Sequence, residues 1–490
     1  MLRLLPGTLT SPRRGIFLAA LLQRDRLACG ALLLGAALWV LAPFPLAGGG
    51  AALFFLGAIL RLDLALIAVV LACPFYLPVA ANPLPPKPIG PYRFSLLEVA
   101  TLLCGAAWLV RALIDRPATI DRLRQAGWAL VPPLLFLLAA TLSTLAAVNR
   151  HEALRELRTV AIEPVLFGLL VLSTLDRRGV ARLVVAGVAL GAAVAAYSFY
   201  HYVVVRVVEE ADGVRRVLAV YHSPNQLALL FDRLLPLAVA LALPAPAEPW
   251  RRWLWRGMPA GVAAVIMAGA LLLTYSRGAY LAVAVATLAI LAWRGWRFLL
   301  PAVVLGMLGS GLLLTQLSPA RLVSEQTSVG RLTLWSAAWR MVLDHLLLGV
   351  GPDNFLYAYR DRGYLPPEGW REPDTSHPHN LLLDAWLRTG ILGFGALAAA
   401  AALFWRAAVR LLRSRSDPSW PTALALAGGM LAALTHGLFD NGYFLPDLAV
   451  LFWLAVAGMA VLARPSAPAA HPAPLPASPL AASAPPPVPR

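Results

Sequence analysis

The sequence predicts an all-α polytopic membrane protein of about 12–14 transmembrane helices with one large extracytoplasmic loop. Composition is the first reason: 59% of the 490 residues are hydrophobic and 13% charged, far less charge than a water-soluble domain of this length carries. Apolar runs of about 17–22 residues, each long enough to cross a bilayer, are the second. The third is where the charge lies. Lys87 is the only lysine, and the net charge of +16 comes from arginines in the short segments between runs, where they set topology.

The elements follow in order. Residues 1–26 read as a cytoplasmic N-terminus, whose Arg13-Arg14 pair is a positive flank with no small-residue cleavage site after it. Runs at 27–44, 47–60, 64–80, 94–113, 128–147, 159–175, 180–204, 224–244, 257–274, 278–293 and 297–315 make a transmembrane section, residues 27–315. Residues 316–383 are an extracytoplasmic loop, and 384–405, 421–437 and 445–462 are the spans of a C-terminal section, 384–463. Residues 464–490, almost all proline and alanine, cannot build a core and read as a disordered tail. Alternation from an inside N-terminus puts about 24 basic residues inside and about 15 outside, with both termini cytoplasmic.

Several function classes fall away. Arginines scattered through inter-span loops need no nucleic acid. No GxxxxGK[ST] phosphate loop is present, which argues against chemistry driven directly by ATP. Cys29, Cys73 and Cys104 are isolated in apolar stretches, with no spacing that suits a metal or a redox pair.

Polar groups gather instead where spans meet the outer face. Arg277 in TYSRGAY sits at a junction of two spans, where a guanidinium must be paired, hydrated or bound to an anion, although a snorkelling arginine explains it as well. TSVGRLTLWSAAWRMVLDHLLLGVGPDNF reads as an amphipathic helix with Arg331, Trp335 and Ala338 on one face, ended by Gly349 and Gly351 and followed by Asn354. In SHPHNLLLDAWLRTG, Ser376 or Asn380 can cap the next span, which leaves His377 and His379 unexplained. The two could ligate a metal, but no third ligand has recognisable spacing, so no metal or other cofactor is expected. A histidine can also take a proton at neutral pH. His222 and Asn225 in YHSPNQLALLFDRLLP, and His436 in THGLFDNGYF, fall at further outer turns, and Arg158 with Glu163 forms an i, i+5 ion pair. Mid-span stretches read as nearly free of charge, which counts against a carrier. Arginines suited to phosphate oxygens, beside a histidine base, fit glycosyl transfer from a lipid diphosphate.

TYSRGAYLA, GRLTLWSAAW, LLGVGPDNF and HPHNLLLDAWLRTGILG, in that order, resemble the signatures of the O-antigen ligase/polymerase superfamily of bacterial surface-polysaccharide enzymes over residues 270–395. The resemblance implies a GT-C-like fold and a metal-independent inverting glycosyltransferase of the bacterial cytoplasmic membrane, with its active site on the extracytoplasmic face. It implies an undecaprenyl-diphosphate-linked glycan donor and a glycan or lipid-linked acceptor, among membrane lipids. Arg277 and Arg331 match the family's pyrophosphate-binding arginines and His379 its acceptor-activating histidine, which makes these three the catalytic candidates. Arg158, His222, Asn225, Trp335, Asn354, His377, Asn380 and His436 are the substrate-binding candidates. A flippase of polyprenyl-linked sugars and a protein O-oligosaccharyltransferase are the alternatives. Metal-dependent oligosaccharyltransferases need acidic residues in the first outer loop, and APFPLAGGG has none.

Overall fold

A computed structural model describes residues 11–79, 81–90, 92–211, 214–244, 249–295, 325–365 and 374–465. The expected span 297–315 and the Pro/Ala-rich tail from 466 lie outside the described residues.

The described chain is overwhelmingly helical. In order come α1 (Ser11–Leu41), α2 (Leu46–Leu60), α3 (Leu62–Ala72), α4 (Leu96–Ile114), α5 (Arg116–Ala126), α6 (Val131–Ala146), α7 (Arg150–Glu156) and α8 (Glu163–Thr174). They are followed by α9 (Arg177–Tyr200), α10 (Pro224–Ala242), α11 (Trp250–Leu272) and α12 (Arg277–Arg294). The last five are α13 (Glu325–Asp344), α14 (Phe355–Asp361), α15 (Leu381–Arg413), α16 (Trp420–Gly437) and α17 (Pro446–Leu462). Eight described helical segments are long and apolar enough to cross a membrane, and α2, α3 and α17 are shorter apolar helices. This is the predicted all-α polytopic membrane protein. Two short antiparallel hairpins, Lys87–Ile89 with Tyr92–Phe94 and Val208–Ala211 with Val214–Val217, were not foreseen.

Helix ends separate onto two faces. On one, arginines staple neighbouring ends: Arg111 donates to the Ile59 carbonyl at 3.2 Å, Arg122 to Thr174 at 2.6 Å and Arg415 to Trp293 at 2.9 Å, while Arg177 meets Asp417 at 3.3 Å. These are the arginines that charge alternation assigned to a single side. Each donates to a backbone carbonyl at a helix end or to a carboxylate, so these arginines satisfy end groups of neighbouring helices.

The spans are not free of charge. Asp232 and Arg233, adjacent in the middle of α10, are buried, 2.7 Å apart, with His436 Nδ1 on Asp232 and Arg233 donating to the Leu229 and Gly442 carbonyls. A neighbouring acid and base on one helix neutralise each other locally, so hydropathy averages hide them. Such a cluster survives in an apolar interior because every charge in it is paired.

α13 and α14 lie within the large loop. Leu334, Ala337, Ala338, Met341 and Val342 of α13 pack with Phe355, Ala358 and Tyr359 of α14 and Leu387 of α15, a second small core outside the main bundle.

Candidate active site

The site forms where α15 begins. Asn380 caps that helix, its side-chain oxygen accepting from the Leu382 and Leu383 N–H groups at 3.0 and 3.1 Å. Its amide donates to the Leu438 carbonyl at 3.2 Å, which ties the cap to the 438–445 turn. The preceding residue, His379, has φ +51°, a left-handed conformation uncommon outside glycine, although histidine is among the residues that adopt it most readily. Strain of about 1–3 kcal/mol persists where neighbours fix the conformation. Here the Asn380 cap holds one side and Asp440 the other, with His379 Nδ1 3.1 Å from Asp440 Oδ1.

Burial works against ionisation of Asp440, but the His379 hydrogen bond and the nearby His379, His377 and His436 rings outweigh it, leaving the acid well below the usual carboxylate range. The Asn441 backbone N–H adds a hydrogen bond at 2.7 Å. A carboxylate fixed in this way selects the Nδ1–H tautomer of His379 and frees the other ring nitrogen to accept a proton. His377 stacks edge-on to His379 with ring centres 4.2 Å apart, and its Nε2 lies 3.7 Å from the same Asp440 oxygen. Burial, with His379 adding to it, pushes its pKa down to about 3, so the ring is neutral.

Behind these rings stands Arg388, which sequence reasoning missed. It is 3% exposed, with Nε 2.7 Å from Asp384 Oδ1 one turn earlier on α15 and NH1 bonded to both oxygens of Glu156 from α7. NH2 reaches the Ser376 carbonyl at 3.4 Å, just before His377. The i, i+4 spacing of Asp384 and Arg388 was readable, but the Glu156 partner, 232 residues away, was not.

Beyond Arg388 the helix breaks. Gly390 has φ +67° and ψ −175°, and the chain carries on at Ile391 as a second helix. The break opens backbone groups that the loop after α13 fills: Val350 N–H donates to the Leu387 carbonyl at 2.7 Å, and Ile391 N–H to Leu346 at 3.1 Å. A kink with its hydrogen bonds replaced in this way is a stable feature. The loop lies so close that a Cβ on Gly390 would sit 1.9 Å from the Leu347 carbonyl, and one on Gly349 2.2 Å from Leu387. The amphipathic stretch therefore stops at Asp344, before its glycines, which serve the contact with α15 instead.

His377 and His379 line a cavity of about 970 Å³, together with Arg93, Arg155, Arg158, Arg388, Glu98, Glu156, Asp353 and Asp440. Arg158 lies on a π-helical turn, Leu157–Ile162, that joins α7 to α8. Such turns are frequent at functional sites. Its NH2 is 2.7 Å from Glu98 and its Nε 3.9 Å from Glu163, with the guanidinium 5.1 Å from the Phe94 ring centre. The expected Arg158–Glu163 pair is present but secondary to Glu98. Arg155 contacts Asp353 at 2.6 Å and Glu152 at 2.7 Å.

Of the expected site residues, the structure brings Arg158, Asn225, His377 and His379 to this cavity. Asn225 accepts from Arg216 at 2.8 Å. Arg277 is exposed at the start of α12, Arg331 is half-buried on α13, and Trp335 is on the same helix; none of the three lines the cavity. His222 is exposed at the α10 cap, and its backbone N–H reaches Gln226. Asn354 is fully buried, clamping the Asn149 backbone through bonds of 2.7 and 3.1 Å in both directions. Asn380 caps α15, and His436 is buried on Asp232. Asp440 was visible to sequence reasoning only as part of a polar turn.

A comparison with curated proteins gives no match. Residues 262–398, from mid-α11 through the break in α15, match the family model described as O-Antigen ligase, so the chain carries a domain of the O-antigen ligase/polymerase superfamily.

Proposed function

We propose that the protein is a metal-independent inverting glycosyltransferase that moves an undecaprenyl-diphosphate-linked oligosaccharide onto a hydroxyl of a glycan or lipid-core acceptor. The observation that carries this reading is the His379–Asp440 pair on a cavity walled by Arg155 and Arg158. His379 takes the proton of the acceptor hydroxyl as its oxygen bonds to the anomeric carbon. The bond from that carbon to the diphosphate oxygen breaks, and its electron pair leaves with the diphosphate. Asp440 steadies the imidazolium that forms, and arginine fixes the charge growing on the leaving group. Arg277 and Arg331 enter on the family resemblance, as further ligands of the same diphosphate.

The reading places the protein in the bacterial cytoplasmic membrane, with this cavity on the extracytoplasmic face and both termini inside. The segregation of arginine staples to the opposite face supports it. Transfer to a protein hydroxyl uses the same chemistry with another acceptor. A flippase of polyprenyl-linked sugars needs a polar path through the bundle, whereas Asp232, Arg233 and His436 are buried on one another and none of the three lines the cavity.

The test is purified protein in nanodiscs with labelled undecaprenyl-diphosphate oligosaccharide and candidate acceptors, wild type against His379→Ala. A new glycosidic product that the substitution removes supports transfer. Lipid moving between leaflets with no bond formed overturns it.

A further inference from the structure

The third metal ligand that spacing alone did not show is Asp440. His377, His379 and Asp440 each offer a ligand atom, all within 4.8 Å of one another. The two edges to Asp440 are 3.1 Å from His379 Nδ1 and 3.7 Å from His377 Nε2. Tetrahedral zinc with bonds of about 2.0–2.2 Å needs ligand–ligand edges of roughly 3.3–3.6 Å. Two edges bracket that range, and small rotations of the two imidazoles close the third.

A second observation points the same way. Nδ1 of His377 is buried without a hydrogen-bond partner, and its Nε2 has only the 3.7 Å approach to Asp440. A buried ring nitrogen without a partner is unusual, since such groups nearly always find one. Nothing on the Nδ1 side holds the ring in place, and Nε2 faces Asp440 at a distance a metal-bound pair of ligands has, rather than a hydrogen-bonded pair. All three residues line the cavity, so a fourth coordination position opens onto it.

We propose that His377, His379 and Asp440 form a three-ligand site for a zinc-class divalent cation, with its open position facing the cavity. Two imidazoles and one carboxylate select zinc or a similar borderline ion over magnesium or calcium, which take oxygen ligands. The inference goes beyond the transfer reading and does not depend on it.

The test is calorimetric titration of zinc chloride into detergent-purified full-length protein carried on a tag without histidine. One equivalent per chain is expected, with affinity lowered about tenfold or more in His377→Ala and in Asp440→Asn. His345→Ala, away from the cavity, keeps wild-type affinity, and magnesium chloride gives no such binding. Should the variants fail to fold, cobalt chloride added to wild type reads the site directly through the intense visible absorption of tetrahedral cobalt. Absence of stoichiometric zinc binding together with an octahedral cobalt spectrum overturns the proposal. So does equal zinc affinity in both folded variants.

Discussion

Arg388 of α15 and Glu156 of α7 make a buried ion pair between parts of the chain 232 residues apart. Asp384 shares the guanidinium, and Asp353 lies 3.8 Å from it. Arg388→Met leaves Glu156 and Asp384 buried without a counter-charge, a change worth about 3–5 kcal/mol. Glu156→Gln keeps the shape and leaves Asp384 to balance Arg388, so it should cost only about 1–3 kcal/mol. Thermal unfolding in detergent should rank wild type above Glu156→Gln and Glu156→Gln above Arg388→Met. Equal midpoints for all three would show that the cluster does not hold the site together.

The break in α15 makes a second prediction. Gly390→Ala puts a Cβ against the Leu347 carbonyl at a positive φ with extended ψ, a conformation almost confined to glycine, a backbone penalty of about 1–3 kcal/mol before the clash is counted. Gly395, five residues on, has open space around its Cβ position, so Gly395→Ala should be neutral or stabilise the helix by up to about 1 kcal/mol. Folded yield and unfolding midpoint should fall for the first and not for the second. Similar behaviour of the two would mean the loop from Leu346 to Gly351 does not dock as described.

Asp440 gives a third. If it acts only through His379, Asp440→Asn lowers the transfer rate by about 10²-fold or more in a wild-type background and adds little to His379→Ala. The comparison is a double-mutant cycle on kcat, with the apparent KM for donor little changed. Additive losses would separate the two residues and remove Asp440 from its orienting role.

What could be read from the sequence follows from the range of the interactions involved. Helices of the bundle announce themselves through apolar runs, and the Asn380 cap through its neighbours, because both are local. The Asp232–Arg233 pair was local too but vanished into an apolar average. Glu98 with Arg158, Glu156 with Arg388 and Asp440 with His379 join residues separated by 60, 232 and 61 positions, which no spacing rule reaches. The positive φ of His379 and the break at Gly390 belong to the same class, since each is held by a distant segment. Arg277, Arg331 and Arg158 were readable from their positions, and the diphosphate role of the first two from motif resemblance; of the three only Arg158 lines the cavity, beside Arg155.

Zinc should inhibit transfer, if both the transfer reading and the metal site hold. Coordination engages His379 Nδ1 and Asp440 together and replaces the hydrogen bond that orients the base. Micromolar zinc should therefore slow product formation in wild type, and a chelator should restore it. His377→Ala, measured against its own metal-free rate, should need about tenfold more zinc for the same inhibition. Zinc that binds without slowing the reaction would separate His379 from proton transfer.

The arginines can be ranked by the same assay. The Arg158 hydrogen bond to Glu98 occupies one of the five N–H donors of its guanidinium, and the Phe94 ring supports the group from the side. That leaves a positioned fork on the cavity wall, suited to two oxygens of a diphosphate. Arg158→Lys keeps the charge but loses the fork, so the apparent KM for the lipid-linked donor should rise about tenfold, or 1.4 kcal/mol, with the acceptor KM unchanged. Arg158→Ala should lose more, and should leave Glu98 as an unpaired carboxylate that repels the donor. A donor KM that moves with Arg277→Ala and not with either Arg158 variant would assign the diphosphate to the start of α12, as the motif resemblance has it, and leave Arg158 as a structural partner of Glu98.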